Sequence, residues 1–147
     1  MNDRPSRASL LLSILVVENH DDTRRMLDAL LRRRGCSVFL ASNMQEALGV
    51  LEAQRIDVLL SDIGLPDGDG WELLRRTLPL HPVYGIAISG YGTPADKGRS
   101  RAAGFRHHLV KPFTVKDLEA LLVEAAAELP AAGQEADPPP ASPYGAE

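Results

Sequence analysis

The feature that most constrains the fold is a regular alternation between short apolar runs and amphipathic segments. A continuous apolar run such as residues 14–17 is typical of a parallel strand buried on both faces. Strands are predicted over residues 14–17, 38–40, 58–60, 86–88 and 107–110. Helices are predicted over residues 22–34, 43–51, 71–78 and 93–104, and from 114 onward. Repeated β–α units predict a flavodoxin-like, doubly wound α/β fold, a five-stranded parallel sheet in the order 2-1-3-4-5.

The pattern divides the chain into three parts. Residues 1–13 form a short N-terminal lead, and residues 14–129 form the α/β domain. The Pro/Ala-rich residues 130–147 contain five of the eleven prolines and neither lysine nor arginine. So few large apolar side chains cannot offset the entropy of ordering, and we expect this tail to be disordered.

Composition disfavours several classes of protein. The 147 residues include 16 basic and 20 acidic side chains, a net charge of −4 that disfavours nucleic-acid binding. The single cysteine, Cys36, cannot form an internal disulfide and fits a reducing compartment. The apolar run at residues 10–17 is much shorter than the roughly 20 residues of a membrane span, and no cleavage site follows it. We therefore expect a cytoplasmic protein without a membrane span.

Polar residues follow four of the predicted strands. They are Glu18 and Asn19 after the first, Asp62 after the third, Ser89 after the fourth and Lys111 after the fifth. Ligands in this fold bind at the carboxyl ends of the strands, and the predicted strand order makes Glu18 and Asp62 neighbours. Clustered carboxylates favour Mg²⁺, and a carboxylate beside a cation and a lysine is a candidate nucleophile toward a phosphoryl group. Taken singly, Asp62 and Ser89 can be turn residues and Lys111 a solvated lysine, but their joint occurrence favours a site.

Five stretches of the sequence together resemble the receiver domain of two-component response regulators, of the chemotaxis-regulator type. They are residues 14–22, 57–70, 88–92, 103–105 and 109–113. The resemblance implies that Asp62 accepts a phosphoryl group from a histidine of a partner kinase or phosphotransfer protein. It implies that Lys111 contacts the acyl phosphate, that the bond to Pro112 is cis, and that Ser89 moves to hydrogen-bond the phosphoryl group.

The resemblance also implies a Mg²⁺ site formed by Glu18, Asn19, Asp62 and the backbone carbonyl of Gly64. The family usually has an aspartate where Asn19 stands, and an amide oxygen brings no charge. We therefore predict a weakened affinity for Mg²⁺, which the longer Glu18 side chain could partly restore. A non-phosphorylated pseudo-receiver that serves as a protein-binding module stays open as the alternative.

His108 stands where the family usually has the tyrosine or phenylalanine whose rotamer reports the switch. Two interpretations stay open: an imidazole that fills the slot of a larger ring, and a switch tuned by pH. His107, which is adjacent to His108, and His20 also suggest a metal site. Adjacent residues of a strand point to opposite faces, however, so His107 and His108 are not expected to bind one ion. Trp71 is expected to pack beside the loop at residues 64–70.

The sequence therefore predicts a phosphorylation-dependent signalling switch that acts on a downstream protein. Catalysis would be limited to Mg²⁺-dependent self-phosphorylation and self-dephosphorylation. Residues 90–104, the fifth strand and the last helix are expected to change with phosphorylation, in a chain that stands alone or derives from a hybrid kinase. A haloacid-dehalogenase-like phosphatase would need a second aspartate where Gly64 stands, and a flavin-binding module would need a phosphate-cradling loop where residues 18–22 are acidic.

Overall fold

The computed structural model describes residues 10–90 and 92–129; most of the predicted lead and the whole predicted tail lie outside these ranges. The strands are β1 (Ser13–Val17), β2 (Ser37–Ala41), β3 (Val58–Asp62), β4 (Gly64–Leu65), β5 (Gly68–Asp69), β6 (Tyr84–Ser89) and β7 (His107–Val110). The helices are α1 (Asp21–Arg33), α2 (Met44–Ala53), α3 (Gly70–Thr77), α4 (Pro94–Ala103) and α5 (Val115–Glu128). Among the described residues, none of these helices is long and apolar enough to span a membrane.

The main sheet has five parallel strands in the order β2-β1-β3-β6-β7, which confirms the predicted doubly wound topology. Alternate residues of the strands point to opposite faces, so Leu15 and Leu59 join one apolar cluster while Ile14 and Leu60 join the other. All five residues of the central strand β3 are buried. The position of the carboxyl end of β3 is therefore set by the packing of the core around the strand.

Local signals in the sequence set most helix boundaries. The side chains of Asn43, Thr93 and Thr114 each accept a hydrogen bond from the backbone N–H three residues later. Gly104 ends α4 with φ of 112°, a left-handed conformation that glycine adopts without a steric penalty. These caps fix where each helix begins or ends relative to the strand beside it.

The segment at residues 64–70, predicted as a loop, contains the short antiparallel pair β4–β5. Asp69 then caps α3 by accepting a hydrogen bond from the N–H of Glu72 at 2.8 Å. A Cβ on Gly70 would lie 2.6 Å from the carbonyl oxygen of Asp62. The absence of a side chain at position 70 therefore lets this turn fold tightly against the end of β3.

Candidate functional site

A pocket of about 460 Å³ opens at the carboxyl edge of the sheet. The described residues that line it are His20, Asp62, Ile63, Gly64, Trp71, Ser89, Gly90, Asp96, His108 and Lys111. Asp62 and Ser89 are the last residues of β3 and β6, which pair side by side, and Lys111 directly follows β7. The topology therefore brings the predicted carboxylate, hydroxyl and ammonium groups into one pocket.

Lys111 bridges two carboxylates at the floor of this site. Its Nζ donates to Asp62 Oδ2 at 2.9 Å and to Glu18 Oε1 at 3.2 Å. Glu18 is fully buried and Asp62 is 8% exposed. Two carboxylates this close in a buried place require a compensating charge, and the ammonium supplies it. The peptide bond between Lys111 and Pro112 is cis, as the resemblance implies.

The three charged groups shift one another's proton affinities. Burial raises the pKa of Asp62 above its ordinary value, and the charge of Glu18 adds to this against the opposing hydrogen bond from Lys111. Burial also favours a raised pKa for Glu18, but hydrogen bonds from His20 and the charge of Lys111 together lower it. Burial works against the charged form of Lys111, but the two carboxylates outweigh it and raise the pKa of the ammonium. The ion pair with Lys111 thus favours the ionised form of Glu18, whereas burial disfavours the ionised form of Asp62.

His20, for which the sequence analysis disfavoured a metal role, lies beside the buried carboxylate of Glu18. Its backbone N–H donates to Glu18 Oε2 at 3.0 Å, and its ring Nδ1 lies 3.0 Å from the same oxygen. Asn19, the residue expected at the metal, is exposed, and among the described residues it does not line the pocket. The sequence could have pointed to this contact, since His20 lies two residues after Glu18. That spacing predicts a contact only when the conformation of the turn after β1 is known.

The donor set fits a divalent cation. Glu18, His20 and Asp62 each place one ligand atom within 4.8 Å of the others. The carboxylate oxygens of Glu18 and Asp62 are hard donors of the kind that Mg²⁺ prefers. Gly64 lines the same pocket, and its N–H donates to Asp62 Oδ1 at 3.3 Å. The imidazole nitrogen adds a softer donor that suits transition metals better than Mg²⁺.

The two adjacent histidines of β7 point in different directions. His108 is half-buried, with Nε2 2.9 Å from Ser89 Oγ and Nδ1 2.7 Å from Ser100 Oγ. His107 lies beside Tyr84, with Nε2 3.0 Å from the phenolic oxygen and 3.2 Å from Glu124 Oε1. His108 is therefore part of the pocket, whereas His107 contributes to the packing of α5.

Trp71 closes the side of the pocket next to the turn at residues 64–70, and it is 9% exposed. Its indole N–H donates to Ser100 Oγ at 2.9 Å, and the Arg99 guanidinium stacks 3.8 Å from the ring centroid. Sequence reasoning missed Ser100 and Asp96 because both are ordinary helix residues. Ser100 lies 29 residues from Trp71 along the chain, and no local pattern marks it.

The sequence matches the family model for the response regulator receiver domain over residues 14–123. It is 34% identical over 110 residues to an uncharacterised 14.6 kDa protein of Leptolyngbya boryana, covering 73% of this chain and 84% of that protein. It is 34% identical over 112 residues to the KDP operon transcriptional regulatory protein KdpE of Escherichia coli, covering 76% of this chain but 50% of KdpE. It is 35% identical over 107 residues to the sensor histidine kinase RcsC of Escherichia coli, covering 71% of this chain but 11% of RcsC.

Solved structures show the same architecture. The CheY-like receiver domain protein of Methanospirillum hungatei JF-1 superposes with a TM-score of 0.76 at 29% identity, covering 80% of this chain and 95% of that one. A two-component response regulator of Clostridium difficile superposes with a TM-score of 0.75 at 26% identity, covering 80% of this chain and 96% of that one.

Proposed function

Because this chain belongs to the response regulator receiver family of two-component signalling, we propose that it is a switch phosphorylated on Asp62. The donor is the phosphohistidine of a partner histidine kinase or histidine phosphotransfer protein. The observation that carries the proposal is the contact of the Asp62 carboxylate with Lys111 inside a pocket that Ser89 also lines. They supply a carboxylate that can accept a phosphoryl group, a cation that offsets negative charge and a hydroxyl that can donate to phosphoryl oxygens.

The transfer exchanges one bond to phosphorus for another. A carboxylate oxygen of Asp62 attacks the phosphorus, the new O–P bond forms, and the N–P bond to the donor imidazole breaks. The departing imidazole nitrogen keeps the electron pair. The chemistry that Mg²⁺ supplies when bound is neutralisation of the phosphoryl oxygens, and Glu18, Asn19, Asp62 and the backbone carbonyl of Gly64 are the groups that would hold it.

Lys111 has a role before and after the transfer. Its ammonium offsets the repulsion between Glu18 and Asp62 in the resting protein, and it lies within reach of oxygens added at Asp62 Oδ2. The hydroxyl of Ser89 lines the same pocket and is positioned to donate to those oxygens. A phosphoryl group on Asp62 adds about two negative charges, and these would attract the Lys111 ammonium and the Ser89 hydroxyl. We propose that this draws β6 and the start of α4 into a second state that a downstream protein recognises.

The pocket suits an imidazole donor. Asp62 is 8% exposed, so a phosphohistidine has to enter the pocket to reach it. Gly64 and Gly90, which carry no side chains, line the pocket and are exposed, so no side chain at these two positions obstructs an incoming ring. A partner whose histidine side chain projects from its surface can therefore reach Asp62 more readily than a partner whose histidine lies in a flat surface.

Phosphorylation from a small donor tests the proposal directly. The full chain is incubated with acetyl phosphate with and without Mg²⁺, and its intact mass is measured. We expect a gain of one phosphoryl group that requires Mg²⁺, is abolished in Asp62→Asn and persists in Asp96→Asn. Asp96 is the matched control because it is a second aspartate lining the same pocket. A gain that survives Asp62→Asn would disprove the assignment of the acceptor.

One observation favours the pseudo-receiver as the second candidate. The exposed amide of Asn19 stands where the family places a metal-binding aspartate, so the charge available to hold Mg²⁺ is reduced. In that case the fold would serve as a binding surface, and no mass gain would appear even at high Mg²⁺. The same experiment therefore separates the two functions.

A further inference from the structure

A chain of hydrogen bonds links Trp71 to Ser89 through two intermediate side chains. The indole N–H of Trp71 donates to Ser100 Oγ at 2.9 Å, and Ser100 Oγ lies 2.7 Å from His108 Nδ1. His108 Nε2 in turn lies 2.9 Å from Ser89 Oγ. Ser100 is 1% exposed and Ser89 is 7% exposed, so the chain runs through the interior from α3 across α4 and β7 to the end of β6.

The chemistry of the donors sets the direction of each hydrogen bond in this series. An indole nitrogen only donates, so Ser100 Oγ accepts from Trp71. The hydroxyl hydrogen of a buried serine needs an acceptor, and for Ser100 that acceptor is Nδ1 of His108. A neutral imidazole whose Nδ1 accepts carries its proton on Nε2, and that N–H points at Ser89 Oγ.

We propose that Ser100 and Trp71 are positioning residues that hold His108 in the Nε2–H tautomer and thereby orient the hydroxyl of Ser89 toward the pocket. Ser89 Oγ accepts from the imidazole, so its own hydrogen is directed away from the ring. In the opposite tautomer Nε2 would accept that hydrogen and draw it away from the pocket. Donation by Ser89 to a phosphoryl oxygen rests on the proposed function; the tautomer and its cause do not.

The tautomer can be measured without any phosphorylation. The full chain is labelled with ¹⁵N-histidine, and long-range ¹H–¹⁵N spectra are recorded at mildly alkaline pH. The chain has four histidines, and His108→Phe assigns the signals of interest by their loss. We expect a protonated Nε2 and an unprotonated Nδ1 for His108 in the wild type. A protonated Nδ1 in the wild type would overturn the proposal.

Variants then test the cause. Ser100→Ala removes the hydroxyl, Trp71→Phe keeps an aromatic ring but removes the N–H, and each is expected to convert His108 to a mixture of tautomers. Ser37→Ala, an exposed serine on β2, is the matched control and is expected to leave the tautomer unchanged. Circular dichroism verifies folding, and Trp71→Phe carries the test should Ser100→Ala not fold. Retention of the wild-type tautomer in a folded Ser100→Ala or Trp71→Phe protein would refute the assigned cause.

A kinetic cycle connects the tautomer to Ser89. Ser100→Ala and His108→Phe are each expected to slow phosphorylation by acetyl phosphate about three- to ten-fold, the range for one hydrogen bond. The double variant is expected to be no slower than the slower single variant, because both act through one contact. Independent, multiplying effects would overturn the link to Ser89. A wild type that takes up no phosphoryl group would instead refute the proposed function, while the tautomer would still be decided by the spectra.

Discussion

Asp62 and Lys111, 49 residues apart in the sequence, form an ion pair of 2.9 Å between the ends of two different strands. The pair exists because β6 lies between β3 and β7, so that two strand ends two positions apart can be joined by a long side chain. Glu18 approaches the same ammonium from the other side of β3. This shared ammonium makes the stability and the reactivity of the site depend on the same three groups.

Lys111→Met is expected to destabilise the protein at neutral pH by about 3 kcal/mol, because removing one partner leaves buried charge uncompensated. The loss should be smaller at a lower pH, because the raised pKa of Asp62 favours uptake of a proton, which removes its repulsion with Glu18. Urea denaturation at the two pH values measures both effects. Lys116→Met, on the exposed surface of α5, is the matched control. An equal loss in the two variants would contradict a special role for the ammonium.

Asp62→Asn is expected to gain stability over the wild type as the pH rises. Burial raises the pKa of Asp62 above its ordinary value of 3.8, so the folded protein holds this proton more tightly than the unfolded chain does. Its contribution to stability is therefore fully present below pH 3.8 and is lost as the pH rises through the folded pKa. Asparagine does not ionise and shows no such loss. Thermal denaturation across this range should show a growing difference, whereas Asp22→Asn, whose side chain is fully exposed, should show none of this trend.

Asn19→Asp is expected to increase Mg²⁺ affinity about ten-fold, since the number of charged ligands sets the affinity of such sites. Isothermal titration calorimetry measures the dissociation constant. Gln54→Glu makes the same amide-to-acid change at the end of α2, next to the amino end of β3, and controls for net charge alone. If both variants strengthened binding equally, the position of Asn19 would have no bearing on the metal.

Gly104→Ala is expected to destabilise the domain by about 2 kcal/mol. Its φ of 112° is unfavourable for alanine, and a Cβ would lie 2.5 Å from Leu78 Cδ1. Gly49→Ala is the matched substitution inside α2, where a Cβ meets nothing within 4 Å. That change should stabilise the protein by about 0.5–1 kcal/mol, because alanine is the better helix former. Opposite signs in chemical denaturation would verify both assignments.

The sheet topology was predictable because four of the five main strands contain an apolar run and helical patterns separate all five, although β7 begins with two histidines. Asn43, Thr93 and Thr114 mark helix starts in the sequence, and the structure uses all three as caps. The β4–β5 pair was not predictable, since two-residue strands carry no periodicity. β6 begins at Tyr84, two residues before the predicted start. The prediction began too late because Gly85 interrupts the apolar run. In the structure the missing side chain of Gly85 makes room for Phe105.

The residues of the candidate site were predictable where they follow strands, and not where they lie on helices. Asp62, Ser89 and Lys111 are marked by their places at strand ends, which the topology brings together. Ser100 contacts Trp71 and His108 only because of how α4 packs beside α3 and β7, and that packing depends on distant parts of the chain. The turn after β1, which brings His20 back onto Glu18, depends likewise on side-chain hydrogen bonds that no local pattern specifies.

The burial of β3 has a mechanical consequence. All five of its residues are buried and pair with β6, the first four also pair with β1, and Asp62 is the last of them. Any atom joined to that carboxylate is therefore anchored to a fully buried strand at the centre of the sheet. If Asp62 is phosphorylated as proposed, we therefore expect the adjustment in groups that meet it from the more exposed side, which are the end of β6 and the Lys111 side chain. We therefore expect Asp62 to keep its position while the neighbouring segments move relative to it.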